Sequence, residues 1–243
     1  MDFKRILFGA VIVIIIYIFY TSVFADKSKN DLVTMHNGMK NEVRINSEKL
    51  SVSKSADYTY SFWIYVNDYN KFYGNEKVVL KRSETIQGKE KVFPKISLGE
   101  NQNDMHFKVT TGQTSSETRD HEIVVNNIPL QKWNHVIMTK SGNTIDIYLD
   151  GKLVKTNILP ATASSVVDED IIITPKPDGA TGDYGFAGYL SKVNYFPNAI
   201  NTREAYQLYK EGYGSGMLGD FFNRFKLKFA FLQDNQEKSS IIL

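Results

Sequence analysis

IPLQKWNHVIMTKSGNTIDIYLDGKLVKT, residues 128–156, contains three short apolar runs joined by two tight turns. The runs are 135–140, 144–149 and 153–158, each too short for a helix of ordinary length and each bounded by turn residues. Ser141-Gly142-Asn143 joins the first to the second. Asp150-Gly151 joins the second to the third, and this pair tolerates the positive φ that a two-residue hairpin turn demands. Asp150 carries a carboxylate that a ligand could use, but its turn role already accounts for it.

The pattern extends in both directions. YTYSFWIYV at 58–66 places Tyr58, Tyr60, Phe62, Ile64 and Val66 on one face, with Thr59, Ser61, Trp63, Tyr65 and then Asn67 on the other. Runs at 78–81, 95–98, 105–110, 122–125, 171–174 and 188–195 bring the total to about ten strands, the spacing of an antiparallel sandwich. One helix is predicted over 202–211. Asn201 or Thr202 caps it, Glu204 stands in its first turn, Ala205, Leu208 and Tyr209 form its apolar stripe, and Gly212 ends it. Trp63 and Trp133 read as core residues, each with one N–H to satisfy, and His135 as a packing residue at a strand entrance.

Three blocks carry a family resemblance: 128–156, 58–66, and GYLSKVNYFPNAINTREAYQLYKEG at 188–212. In order and spacing they resemble laminin-G-like domains of the concanavalin A-like lectin and glucanase superfamily over residues 43–213. The resemblance implies an all-β fold, a two-sheet antiparallel jelly-roll sandwich. It does not identify a ligand, because that fold serves lectins, glycosidases, receptor modules and structural domains.

Composition narrows the function. The chain has 243 residues, 29 Lys and Arg against 27 Asp and Glu, and no cysteine. Disulfides, thiolate metal sites and cysteine nucleophiles are therefore excluded, and a net charge of +2 gives no basic stripe for nucleic acid. Retaining glycosidases on this fold carry Glu-x-Asp-x-x-Glu on one strand, which sets carboxylates ~5 Å apart across the sugar. No Glu-x-Asp occurs. Asp120 and Glu122 alternate correctly but lack a third acid, and beside Arg119 and His121 they read as a solvated, mixed-charge loop. Asp168-Glu169-Asp170 reads as a polar loop or a weak calcium site. The expectation is no catalysis.

Residues 6–25 form an uncharged apolar run after Lys4 and Arg5. At ~1.5 Å per residue a helix of this length spans ~30 Å, the hydrocarbon core of a bilayer. This reads as one transmembrane helix of a single-pass membrane protein, with a cleaved signal peptide ending at Ala25 as the alternative. The chain divides into an anchor and linker at 1–30, a jelly roll at 31–213 and a Phe-rich segment at 214–243. MLGDFFNRFKLKFAFL at 217–232 alternates as a strand in its later half, so a short helix near 217–223 and a strand over 225–232 pairing with the sandwich are expected.

Binding is expected at loops on one rim, where relatives implied by the resemblance hold calcium or glycans. Two polar, aromatic loops suit this, 67–74 and 178–185. Tyr69, Tyr73, Asp178, Asp183 and Tyr184 are the candidate ligand residues, with Asp178 and Asp183 as carboxylates that suit calcium; no other cofactor is expected. They converge if both loops leave the same end of the sandwich. The functional expectation is a non-catalytic, membrane-anchored binding module for a glycan or protein ligand. The alternative is a structural scaffold of a large DNA virus, joining a virion membrane to capsid or shell proteins through the Phe-rich segment.

Overall fold

The computed structural model describes residue 14 and residues 30–51, 56–86, 88–112, 118–161, 168–176, 185–214, 228–233 and 236–242. Its strands, in chain order, are β1 (Asn30–Asn37), β2 (Val43–Ile45), β3 (Tyr58–Asp68), β4 (Lys77–Ile86), β5 (Lys89–Leu98), β6 (Met105–Thr111) and β7 (Arg119–Val125). They continue as β8 (Trp133–Ser141), β9 (Thr144–Leu149), β10 (Lys152–Ile158), β11 (Ile171–Ile173), β12 (Ala187–Phe196), β13 (Lys228–Gln233) and β14 (Gln236–Ile242). The helix α1 spans Thr202–Lys210. Two six-stranded sheets result, β1-β12-β3-β8-β9-β10 and β2-β11-β4-β5-β6-β7. Every pairing within them is antiparallel.

The alternation of β3 is the hinge of the architecture. Tyr58, Tyr60, Phe62, Ile64 and Val66 all enter the buried cluster between the sheets, where they meet Leu80, Ile96, Phe107, Ile147 and Leu190. Full burial of one such side chain contributes ~1.5–3 kcal/mol. The turns hold as the sequence requires: Asp150 and Gly151 have φ of 49° and 74°, and Gly142 has 56°. Gly151 has a second constraint. A Cβ there would lie 2.9 Å from Cβ of Tyr209, because α1 crosses directly over the β9–β10 turn.

α1 packs on the outer face of the first sheet, with Ala205 and Leu208 against Ile137, Tyr148 and Ile200. Asn201 caps it, accepting from Arg203 and Glu204 N–H groups, while Glu204 accepts from the Asn201 N–H. This reciprocal pair satisfies donors that a helix start otherwise leaves open.

Several expectations need correction. The strand expected at 122–125 begins at Arg119, so Arg119, Asp120, His121 and Glu122 are ladder residues and not a loop: Glu122 lies opposite Lys108 and Asp120 opposite Thr110 in the β6 pairing, and Lys108 reaches Asp120 at 2.9 Å. Opposite charges across the ladder extend the strand N-terminal to its apolar run. The strand expected over 225–232 is Lys228–Gln233, and it pairs with β14 in a separate two-stranded sheet, not with the sandwich. The helix expected near 217–223 lies outside the described residues. So does the apolar run 6–25, apart from Ile14. Among the described residues no helix is long and apolar enough to cross a membrane.

Candidate functional site

Three loops meet at one rim of the sandwich. The β3–β4 loop contributes Tyr69, Asn70 and Tyr73; the β5–β6 loop Asn101, Gln102 and Asn103; and the β7–β8 loop Asn127 and Leu130. Together they line a groove of about 460 Å³.

Backbone contacts stitch the loops together. The Gly74 N–H donates to the Glu100 carbonyl at 3.0 Å, the Ile128 N–H to Asn103 at 2.7 Å, and the Gln131 N–H to Val66 at 2.8 Å. Side chains add to this, with Asn103 Nδ2 donating to the Ile128 carbonyl and the Asn127 N–H to Asp104 Oδ1, both at 2.9 Å. Phe72, Asn127 and Gln131 all have positive φ, a backbone state that non-glycine residues adopt at some cost and that gathers at ligand sites.

Tyr69 and Tyr73, both candidates from the sequence, lie in this groove. The Tyr69 hydroxyl reaches the Gly99 carbonyl at 2.5 Å and also the Gln102 carbonyl. Burial, reinforced by the Asp104 carboxylate, pushes its pKa up to about 12, so it remains a donor at working pH. Tyr73 is 60% exposed, so its ring is open to a ligand. The side-chain amides of Asn70, Asn101, Gln102 and Asn127 make no hydrogen bond with other described residues, so each keeps its donors and acceptor. Asn70 lies in the loop 67–74 singled out from the sequence, but Asn101, Gln102 and Asn127 lie outside both candidate loops and were missed.

Asp178, Asp183 and Tyr184 lie outside the described residues. The roots of the two candidate loops are neighbours, however, because β3 pairs with β12 and Asp68 stands opposite Ala187. Among the described residues no cluster of three or more His, Asp or Glu side chains is arranged to hold a metal. Asp170 instead accepts from the Ser47 N–H at 3.0 Å and faces Arg44 at 3.7 Å. Asp150 accepts from the His135 N–H and pairs with Lys132 at 3.1 Å, as its turn role implies.

A second groove, of about 560 Å³, lies on the outer face of the first sheet. Trp63, Trp133, Tyr209 and Tyr213 wall it, with Lys132, Lys210 and Gly212. Trp63 is buried as expected, though under α1 and not between the sheets, whereas the core placement of Trp133 is corrected. They occupy positions of β3 and β8 that point away from the core, and Trp133 is only half-buried. Trp133 stacks on Tyr213 at 4.9 Å and 11°, and Trp63 on Tyr209 at 5.6 Å and 23°. The signal was legible: Trp63 alternates with Phe62 and Ile64, so it faces the opposite side. His135 lies beneath, 2% exposed, 4.8 Å from the Trp63 ring, with Nε2 against Ser61 Oγ at 3.0 Å. Burial pushes its pKa down to about 4 even though Asp150 opposes the shift. The imidazole is therefore neutral near pH 7 and serves as packing.

Comparison with known proteins places the architecture. Residues 37–205 match the family described as the concanavalin A-like lectin/glucanases superfamily. No curated protein sequence matches the chain significantly. Among solved structures, the binding domain of botulinum neurotoxin serotype G is similar at a TM-score of 0.51 and 17% identity, over 73% of this chain and 46% of that one. The receptor-binding domain of the botulinum neurotoxin C/D mosaic serotype gives 0.54 and 13%, over 73% and 42%. That of botulinum neurotoxin D gives 0.51 and 12%, over 72% and 43%. The chain spans less than half the length of these structures, and at such identity the likeness is one of fold.

Proposed function

The chain belongs to the concanavalin A-like lectin/glucanases superfamily, and we propose that it acts as a non-catalytic binding module that takes a glycan in the rim groove. The observation that carries this reading is the set of four side-chain amides, without hydrogen-bond partners among the described residues, beside Tyr69 and Tyr73. Sugar hydroxyls both donate and accept, as amides do, and a tyrosine face covers the apolar side of a pyranose ring. A volume of about 460 Å³ suits a small saccharide. The neighbours of similar fold are named as binding or receptor-binding domains, which supports a module that binds over one that reacts.

The module is held to a membrane by residues 6–25. The support is the uncharged apolar length of that run. The full chain should resist alkaline carbonate extraction, and recovery of a mature protein beginning at Asp26 would contradict the anchor. The viral scaffold alternative draws its support from composition and from the Phe-rich 217–232 segment. A glycan array probed with the full chain, with and without calcium, tests the binding reading. A hit lost in a Gln102→Ala, Asn101→Ala double variant supports it; an array with no hit favours a protein ligand or the scaffold.

A further inference from the structure

Lys77 begins β4 and is 2% exposed, enclosed between the β3–β4 and β5–β6 loops that build the rim groove. Its Nζ donates to three backbone carbonyls, Asn75 at 3.1 Å, Gly99 at 3.2 Å and Glu100 at 3.1 Å. An ammonium carries three N–H donors, so these contacts use all of them. The charge also lies 4.4 Å from the centroid of the Tyr69 ring, a favourable cation–π distance. Tyr69 in turn reaches the Gly99 and Gln102 carbonyls, so one side chain and its neighbour hold both walls of the groove.

The arrangement does what a bound metal ion does between loops: it gathers converging carbonyl oxygens on a fixed positive charge. Without it, the carbonyl of Asn75 would lose its donor, and those of Gly99 and Glu100 would keep only the Tyr69 hydroxyl and the Gly74 N–H, leaving three converging oxygens without a cation between them. Because its donors are already used, Lys77 has none left for a ligand's anion. The adjoining groove, of about 430 Å³, shares Asn101 and Gln102 and is lined by Glu76, Glu100, Asp104 and Glu122. Glu76 pairs with Lys95 at 2.6 Å and Glu122 faces His106 at 3.0 Å, so Glu100 and Asp104 carry the negative charge that disfavours an acidic ligand there.

We infer that Lys77 is a positioning residue whose ammonium ties the two rim loops together as a built-in cation, so that the groove takes an uncharged saccharide without a metal ion. This rests on the glycan reading above. Hydrogen exchange on the full chain follows the amide of Gly74, which donates to the Glu100 carbonyl across the tie, and that of Gly99, which closes the β5–β6 loop on the Asp104 carbonyl. Lys77→Met should speed both by at least about tenfold, and Lys77→Arg, which returns a cation with several donors, should restore most of the protection. Chelation with EDTA, or added millimolar calcium, should leave the wild-type rates unchanged; this arm needs no variant to fold.

Calorimetry with triacetylchitotriose and maltotriose as neutral probes, and sialyllactose as an acidic one, reads the ligand side. At least one neutral probe should bind at least about tenfold more tightly than the acidic one, with an affinity indifferent to EDTA, lost in Lys77→Met and regained in Lys77→Arg. Unchanged exchange in Lys77→Met overturns the inference. So does wild-type exchange or affinity that is disturbed by chelation and returns with calcium, or tighter binding of the acidic probe. If no probe binds the wild type, the saccharide part falls with the glycan reading, and the exchange rates alone decide whether Lys77 ties the loops.

Discussion

The outer-face groove is walled by rings that touch one another, whereas the rim groove is walled by amides that touch little else. In the first, Trp63 and Trp133 are each stacked on a tyrosine, and α1 lies across the same sheet face. Those aromatics join the helix and the residues after it to the sandwich. In the second, four amides and the Tyr73 ring keep their hydrogen-bonding and stacking capacity. Aromatic content alone would point to the outer face. The proposed saccharide site rests instead on convergence, exposed amides from three loops gathered beside an open tyrosine ring at the rim.

The contrast can be broken by substitution, beginning where the effect is largest. Trp63 is 6% exposed among Tyr209, Tyr213 and His135, so Trp63→Ala should cost ~3–5 kcal/mol in a denaturation experiment, as removal of a large buried aromatic does. A loss below ~1 kcal/mol would show that the outer cluster is not structural.

Acidification comes next. The folded His135 imidazole resists protonation until about pH 4, whereas an unfolded one protonates near its ordinary 6.5. The unfolded state therefore binds more protons between those values. His135 contributes its full share of stability above pH 6.5 and loses it as pH falls toward 4, by ~3 kcal/mol in all. Melting temperatures across that window should fall for the wild type and flatten for His135→Gln. Parallel curves would refute the assignment.

Trp133→Ala should cost less, on the order of 1–2 kcal/mol, because its ring is half-buried; a true core position would lose ~3–5. Smallest of all is Tyr73→Ala, expected to change stability by less than ~0.5 kcal/mol, as exposed side chains do. A clear drop in melting temperature there would mean that the rim tyrosine is structural and weaken the case for the groove.

The sequence made the core legible but not the site. Period-2 alternation put Tyr58, Tyr60, Phe62, Ile64 and Val66 on one face, and all five enter the core. Asp150-Gly151 specified its turn, and Asn201 with Glu204 its helix start, because each depends on local chemistry. β1 was not legible: NDLVTMHN has little apolar alternation, and among the described residues it is an edge strand paired with β12 alone. Trp133 was misplaced by treating large aromatics as core, and Trp63, though buried, lies on the face that alternation set opposite Phe62. Tyr69 and Tyr73 were read from a loop rich in Asn and Tyr. Their partners come from the loops after β5 and β7, thirty or more residues away, and only the strand order brings those ends to one rim. Lys77 was invisible for the same reason, since its role consists of backbone carbonyls that no residue type encodes.

Titration of an array-selected saccharide into paired variants of the full chain tests the central claim most directly. Tyr73→Ala and Gln102→Ala in the rim should each weaken binding by at least about tenfold, while Tyr213→Ala in the outer groove should leave the affinity within about twofold of the wild type. Loss of binding in Tyr213→Ala, with the rim variants unaffected, would contradict the account and move the site to the aromatic face.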